Sequence, residues 1–158
     1  SMAIYQVLGN KKFFGVIIEK TGAVDAKKLY TELIPWFSKY DYFFTEKEIS
    51  MKDTLAGQKQ KFKWIGNKKI DDYFRFNIYI EIWISPSIKD KSQVLVRFKG
   101  YLETDYRNKF KGKVGAFLRK LYEDYFIKER IIHMKKKVLA ETNDLINTSK
   151  KILNLVSA

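Results

Sequence analysis

Residues 59–84, KQKFKWIGNKKIDDYFRFNIYIEIWI, decide the fold class, because apolar side chains alternate in them with polar ones. This alternation is typical of β-strands that bury one face, since successive side chains point to opposite sides. The pattern predicts a strand over residues 59–65, a hairpin turn at Gly66 and Asn67, and a long strand over residues 69–84. The predicted core positions of the long strand are Phe74, Phe76, Ile78, Ile80, Ile82 and Ile84.

The opposite face of this hairpin carries basic and aromatic side chains. In the first strand, Lys59, Lys61 and Lys63 point to one face, and the apolar Phe62 and Trp64 point to the other. A third strand is predicted over residues 93–105, with Val94, Val96, Phe98 and Leu102 facing the core. The outward positions of the second and third strands include Tyr73, Arg75, Tyr79, Trp83, Arg97, Lys99 and Tyr101. The outer surface of the predicted sheet therefore mixes cations with aromatic rings.

The segments before this hairpin add further strands and helical structure. Residues 3–22 contain two β-rich runs, and residues 40–52 alternate like another strand. Between them, residues 26–40 carry apolar side chains at helical spacing. Because Pro35 suits the first turn of a helix better than its interior, two short helices are expected to meet near Ile34.

The last third of the chain is predicted to be helical. Residues 113–130 carry an apolar stripe, which predicts a helix that packs on the sheet and closes the core. The stripe consists of Val114, Phe117, Leu118, Leu121 and Tyr125. Since no glycine or proline follows Gly115, the helix is expected to continue as a basic amphipathic extension over residues 128–158. Residues 1–127 are expected to form a single α+β domain.

Apolar pairs in the predicted extension recur every seven residues, beginning at Ile131 and Ile132. The positions between the pairs, Lys135, Thr142 and Ser149, are polar, so the apolar seam is thinner than that of a regular coiled coil. Three roles stay open for this helix: packing on the protein's own body, homo-oligomerisation through residues 128–158, and contact with a membrane surface.

Enzyme chemistry has little support in the sequence. The chain has no cysteine, and its single histidine, His133, has no nearby serine nucleophile or orienting carboxylate, which an acyl-transfer triad requires. No glycine-rich phosphate loop of a known pattern is present. Glu46 and Glu48 are predicted to share one face of a strand, where they can pair with lysines of the neighbouring strand. Asp71 and Asp72 suit a turn. The sequence therefore predicts no catalytic residue, no metal site and no cofactor.

The charge of the chain favours an anionic partner. Its 158 residues carry a formal net charge of +13. Residues 54–70 and 106–122 contain several cations and no acid. A lysine-rich background composition would produce the same charge. No apolar run approaches the roughly 18 residues that span a bilayer, and the start lacks the pattern of a signal peptide, so a cytoplasmic location is expected.

Four stretches carry a resemblance to known proteins. They read LYTELIPWFSKYDYFFTEKEI, KFKWIGNKKIDDYFRFNIYIEIWI, FKGYLETDY and FLRKLYEDYF. Over roughly residues 12–127 the chain resembles a family of small, uncharacterised archaeal α+β proteins with the order strand, helix, meander and closing helix. That resemblance implies no activity.

A looser similarity is to START-like, helix-grip proteins, which have a strand, two short helices, an antiparallel sheet and a long C-terminal helix. This similarity implies a site for an apolar ligand between the sheet and the last helix. The implied pocket residues are Phe74, Phe76, Ile78, Ile80, Phe117, Leu121 and Tyr125. The chain departs from that pattern in strand count, with five or six predicted strands instead of seven.

Together these patterns predict an α+β fold: an antiparallel meander sheet of five or six strands, short helices after the first strands, and a long C-terminal helix. The function expected is that of a non-catalytic module that binds a polyanion, above all single-stranded nucleic acid, since such proteins combine cations with exposed aromatic rings. The predicted interface consists of Lys59, Lys61, Lys63, Tyr73, Arg75, Tyr79, Trp83, Arg97, Lys99 and Tyr101. The alternatives are a START-like binder of an apolar small molecule or lipid, and an assembly protein that oligomerises through its C-terminal helix.

Overall fold

The computed structural model of the chain describes residues 2–6, 13–22, 26–86 and 92–154. Its elements, in chain order, are β1 (Met2–Gln6), β2 (Phe13–Gly22), α1 (Ala26–Lys39), β3 (Phe43–Thr54), β4 (Gly57–Lys69), β5 (Phe74–Ser85), β6 (Ser92–Thr104), α2 (Gly112–Leu121), a π-helical turn (Tyr122–Phe126) and α3 (Lys128–Ile152). None of the helices in these ranges is long and apolar enough to cross a lipid bilayer.

The strands form one sheet in the order β1-β2-β6-β5-β4-β3, and all neighbours are antiparallel. Strands β3 to β6 follow one another as a meander, whereas β2 pairs with β6 because α1 carries the chain from β2 to the opposite edge of the sheet. The predicted α+β class and the antiparallel meander are confirmed, with six strands among the residues that the structure describes. β5 lies inside the sheet, where its Ile80 is paired with Trp64 of β4 on one side and with Phe98 of β6 on the other.

The core lies on one face of this sheet, under α1 and α3. All six predicted core positions of the long strand are buried. From α1, Leu29, Leu33 and Phe37 pack into the same core cluster. This face is the inner face of the sheet, and the other is its outer face.

The predicted turn at Gly66 and Asn67 is wrong, because β4 continues through both residues. Gly66 serves a packing role instead: a Cβ atom there would lie 2.6 Å from the Phe37 ring, so glycine lets α1 approach the sheet closely. The chain reverses four residues later, where Asp71 Oδ1 accepts hydrogen bonds from the backbone N–H groups of Tyr73 and Phe74, each at 2.8 Å. Turns closed by an aspartate side chain are common in hairpins.

The expected pair of short helices is also wrong, since α1 is a single helix that contains Pro35. Proline removes one helical hydrogen bond, the one to the carbonyl of Thr31. Pro35 is exposed, whereas Trp36 and Phe37 beside it are buried. The burial of this apolar face keeps the helix continuous despite the missing donor.

The C-terminal helix is interrupted, and its second part covers the sheet. The π-helical turn and a non-helical Ile127, with φ −124° and ψ 18°, separate α2 from α3. The apolar side chains of α3 that enter the core are Ile131, Val138, Leu145 and Ile146. Residues 128–152, which the sequence sets apart as an extension, therefore pack on the same core as the sheet.

Two of the polar seam positions of α3 allow it to lie close to the sheet. Thr142 and Ser149 are fully buried, and their hydroxyls donate to the carbonyls of Val138 and Leu145 at 2.7 and 2.8 Å. A Cβ atom at Gly100 of β6 would lie 2.0 Å from Thr142 Oγ1. At Thr142, the polar interruption of the heptad pattern is thus the place where a small side chain meets a glycine.

Candidate functional site

The outer face of the sheet is the candidate site, because α1 and α3 both lie on the inner face. At the described outer positions of β4, β5 and β6, seven cations stand against two carboxylates, Glu81 and Glu103. The cations are Lys59, Lys61, Lys63, Lys69, Arg75, Arg97 and Lys99. Strand alternation places them together, since each β-strand directs every second side chain to the same face.

Two tyrosines form the aromatic centre of this face. The rings of Tyr79 and Tyr101 are stacked, with centroids 5.8 Å apart and an interplanar angle of 9°. Their hydroxyl oxygens are 3.3 Å apart and share a hydrogen bond. Burial, together with the hydrogen bond to Tyr79, raises the pKa of Tyr101. The hydroxyl of Tyr101 therefore stays neutral at physiological pH.

Trp83 extends the aromatic surface along β5. Its ring is partly exposed, and the Nζ atom of Lys61 lies 4.2 Å from the ring centroid. This is a cation–π contact between neighbouring strands, which holds the lysine against the outer face. One side of the indole is thereby occupied by a cation.

A depression of about 300 Å³ lies beside Tyr79 on this face. Its lining includes the cations Lys47, Lys63, Arg97 and Lys99, and one carboxylate, Glu81. The volume is at the lower end of the range found for ligand pockets. Four residues of the predicted interface, Lys63, Tyr79, Arg97 and Lys99, converge here.

Part of the positive charge is paired within the sheet. Glu48 of β3 lies 3.7 Å from the Nζ atom of Lys61 and 3.5 Å from that of Lys63. Arg75 donates to both carboxylate oxygens of Glu103, at 2.7 and 2.8 Å. Because a bidentate pair of this kind orients its guanidinium firmly, Arg75 has a structural role on this face.

One predicted interface residue, Tyr73, lies away from the others. It belongs to the turn between β4 and β5, where its hydroxyl donates to Glu123 at 2.8 Å. Its ring packs edge-on against Phe110 and Tyr122. Burial, and then the bond to Glu123, raises the pKa of Tyr73. Tyr73 therefore attaches the α2 region to the sheet and is not part of the stacking surface.

The carboxylate pair on β3 is separated by a β-bulge. The pairing register with β4 shifts between Glu46 and Glu48, so the prediction that they share a face is wrong. Glu46 faces inward and accepts hydrogen bonds from Tyr30 and Trp64, each at 2.9 Å. The bulge also brings Lys47 into the depression, a residue that regular alternation did not predict. Among the residues that the structure describes, no cluster of His, Asp or Glu could hold a metal ion.

The residues implied for an apolar pocket fall into two separate groups. Phe74, Phe76, Ile78 and Ile80 are buried in the core, as expected. Phe117 and Tyr125, in contrast, are exposed, and Leu121 is half-buried. In the structure α3, and not the helix that bears Phe117, lies on the inner face.

No protein-family model matches the sequence, and no curated protein matches it. Among solved structures, a truncated norcoclaurine synthase from Thalictrum flavum is similar at 12% identity and a TM-score of 0.30, covering 95% of this chain and 98% of that one. A protein of unknown function from Staphylococcus aureus is similar at 16% identity and a TM-score of 0.28, covering 90% and 98%. Similarities with TM-scores this low carry no argument about function.

The order of elements agrees with the looser resemblance found in the sequence. A strand, a helix, an antiparallel sheet and a long C-terminal helix packed on that sheet follow one another, as in START-like, helix-grip proteins. The chain differs in having the single helix α1 in place of two short ones, and its described part contains six strands.

Proposed function

We propose that this protein is a non-catalytic binding module that holds single-stranded nucleic acid on the outer face of its sheet. The stacked pair of Tyr79 and Tyr101, placed beside Lys63, Arg97 and Lys99, is the observation that carries the proposal. Proteins that bind single strands without strong sequence preference combine a basic surface with aromatic rings on which bases stack. A sheet face with both groups has the chemistry that this kind of ligand needs.

The charge balance of the outer face supports attraction of phosphates. Seven cations against two carboxylates on β4 to β6 give this face a strong positive potential. The pairs that Glu48 makes with Lys61 and Lys63 span 3.5 to 3.7 Å and are partly exposed. Ion pairs of this kind contribute about 0–1 kcal/mol. A phosphate group can therefore replace Glu48 as the partner of either lysine at low cost.

The aromatic groups provide positions for bases. Tyr79 and Trp83 lie four residues apart on the same face of β5, a distance of about 13 Å, or roughly four bases stacked at 3.4 Å. Each base stacked on an aromatic side chain contributes about 1–3 kcal/mol. Because the Tyr101 hydroxyl stays protonated, it adds no negative charge that would repel phosphate.

Fluorescence anisotropy tests the proposal with a short labelled single-stranded RNA and the matching duplex, each at about 50 and 200 mM salt. The diagnostic variant is Lys63→Ala with Arg97→Ala. The matched control is Lys135→Ala with Lys136→Ala, which removes the same charge from exposed positions of α3. We expect preference for the single strand, weaker binding at higher salt, and at least a tenfold loss in the first variant only. Salt-independent binding, or equal losses in the two variants, would contradict the proposal.

The order of the elements favours a second candidate, a carrier of an apolar small molecule held between α3 and the inner face of the sheet. Its ligand would contact Phe74, Phe76, Ile78 and Ile80 of the sheet, and α3 in place of Phe117 and Tyr125. Native mass spectrometry of the purified protein, before and after solvent extraction, tests it. A bound apolar molecule together with no affinity for RNA would favour the carrier over the nucleic-acid module.

A further inference from the structure

Helix α2 is attached to the body of the protein through its polar and small side chains. Arg119 donates to the carbonyl of Thr104 at 3.1 Å and to its hydroxyl at 2.6 Å. Gly115 is buried against the backbone of Phe110, where a Cβ atom would lie 2.8 Å from the carbonyl carbon. The side of α2 that faces the sheet is therefore the one with little apolar surface.

The apolar side of the same helix points to solvent. Val114, Phe117 and Leu118 recur at helical spacing and are 73%, 62% and 47% exposed. In the π-helical turn, Tyr125 and Phe126 are 78% and 80% exposed. We call these five side chains the α2 ridge. A surface helix normally buries its apolar stripe against the core, so this arrangement is inverted. Contiguous exposed apolar groups of this kind mark interaction sites.

Lysines flank the α2 ridge in the sequence. Between Asp105 and Glu123 the chain contains no acid and six cations. They are Arg107, Lys109, Lys111, Lys113, Arg119 and Lys120. Arg119 faces the sheet and Arg107 pairs with Asp72 at 3.1 Å, so the four lysines are the cations that can flank the ridge. Lys113 and Lys120 are exposed on α2 itself. Glu123 is held by Tyr73 and Arg119, whereas Asp124, next to it in the sequence, is exposed.

From this combination we propose that the α2 ridge docks the protein on an anionic phospholipid surface. Aromatic and aliphatic side chains enter the boundary between headgroups and acyl chains, while flanking lysines contact the anionic headgroups. The chemistry is that of an interfacial helix, with the phenyl rings of Phe117 and Phe126 as the main apolar contacts. This inference goes beyond the proposed binding of nucleic acid and does not depend on it.

Two other occupants fit the ridge less well. A second copy of the chain would bring the same cations into contact with one another, and like charges across an interface oppose association. An amphipathic peptide is normally bound in a groove, whereas side chains exposed to 62–80%, such as Phe117 and Phe126, project from the surface. A projecting apolar ridge flanked by cations is suited to an anionic phospholipid surface, into which its side chains can insert.

Vesicle co-sedimentation of the full chain tests the proposal, with vesicles of phosphatidylcholine alone and of equimolar phosphatidylcholine and phosphatidylserine. The diagnostic variant is Phe117→Ser with Phe126→Ser. The matched control is Met51→Ser with Leu55→Ser, which removes two exposed apolar side chains at the opposite end of the sheet. All four positions are exposed, so both variants should fold. We expect binding to the anionic vesicles to fall at least tenfold in the first variant and to stay unchanged in the control.

A second readout locates the contact. Because the chain has no cysteine, single variants Phe117→Cys and Leu55→Cys accept an environment-sensitive fluorophore at one position each. With anionic vesicles, a blue shift at position 117 and none at position 55 is the expected result. Absence of vesicle binding, or equal shifts at both positions, overturns the proposal. A dimer that dissociates in the Phe117→Ser, Phe126→Ser variant also overturns it in favour of a second copy.

Discussion

The ammonium of Lys68 in β4 and the carboxylate of Glu141 in α3 form an ion pair where the helix meets the sheet. Their side chains are only 15% and 10% exposed. Lys68 also donates to the carbonyl of Tyr40 at 3.0 Å and lies 4.6 Å from the ring centroid of Tyr42. Burial, with the nearby Glu141 carboxylate, raises the pKa of Tyr42, so its hydroxyl stays protonated. Lys68, which belongs to the acid-free basic run of residues 54–70, is thus largely buried and serves the packing of α3 on the sheet.

Replacing one member of this pair should destabilise the protein strongly. We expect Glu141→Ala to lower the free energy of unfolding by about 3 kcal/mol, because it leaves the Lys68 ammonium buried without its counter-charge. The double variant Lys68→Met, Glu141→Leu should recover most of the loss, since it buries no uncompensated charge. Urea denaturation measures both. A double variant less stable than Glu141→Ala would show that the pair itself provides the stability.

Two leucines of α3 test which side of the helix is core. Leu145 is 0% exposed, whereas Leu139 is 38% exposed. Leu145→Ala should cost about 2–5 kcal/mol through lost burial and the cavity it leaves. Leu139→Ala should cost less than about 1 kcal/mol. Thermal and urea unfolding of the two variants give the comparison, and equal losses would mean that α3 packs differently.

The carboxylate of Asp71 should contribute stability that depends on pH. Burial alone would raise the pKa of Asp71, but hydrogen bonds from the N–H groups of Phe74 and Tyr73, with the Arg130 guanidinium, outweigh it and lower the pKa below 3.8. The ionised form is therefore the one that the folded state favours. Its contribution is complete above the ordinary aspartate pKa and is lost as the pH falls through the lower folded-state pKa.

Asp71→Asn measures this contribution. At neutral pH the variant should be less stable than the wild type by about 1–2 kcal/mol, because the charged acceptor of two N–H groups is gone. The difference should shrink as the pH falls below about 4. Asp72→Asn is the control, since Asp72 is exposed and pairs with Arg107 at 3.1 Å. A difference that does not change with pH would exclude the charge as its cause.

Tyr79→Ala tests the stacking surface separately from its charge. If a base stacks on the Tyr79 ring, the variant should bind single-stranded RNA about 5- to 150-fold more weakly, corresponding to 1–3 kcal/mol. The salt dependence should hardly change, because no cation is removed. Tyr125→Ala removes an exposed tyrosine away from the outer face and should bind as the wild type does. If Tyr79→Ala binds single-stranded RNA as tightly as the wild type does, the stacked tyrosines have no role in binding.

Local alternation was a reliable guide wherever strands are regular. It predicts the inner positions of β5 from Phe74 to Ile84 and the outward direction of Tyr79, Arg97 and Tyr101. It failed where one residue breaks the pattern, as at the bulge between Glu46 and Glu48. A bulge is set by the pairing of two strands, so the sequence of one strand does not indicate it.

The local preferences of glycine and proline are also overridden in this fold. Gly66 and Asn67 have the composition of a hairpin turn, and Pro35 that of a helix start. In the fold, Gly66 makes room for Phe37, and Pro35 lies on the exposed side of a helix whose other side is buried. Tertiary packing overrides a local preference of a few kcal/mol when enough apolar surface is buried.

The sequence by itself determined the α+β class, the meander and the inner and outer faces of β5, because a period of two assigns each side chain to a face. Only the tertiary structure decided which helix covers the sheet. The helices α2 and α3 both carry apolar stripes, and a stripe shows that a face can be buried without showing where. Gly100 and Thr142 allow α3 to approach β6 closely, whereas Arg119 attaches α2 through its polar side. The core is therefore closed by α3, and the aromatic ridge of α2 is left facing solvent.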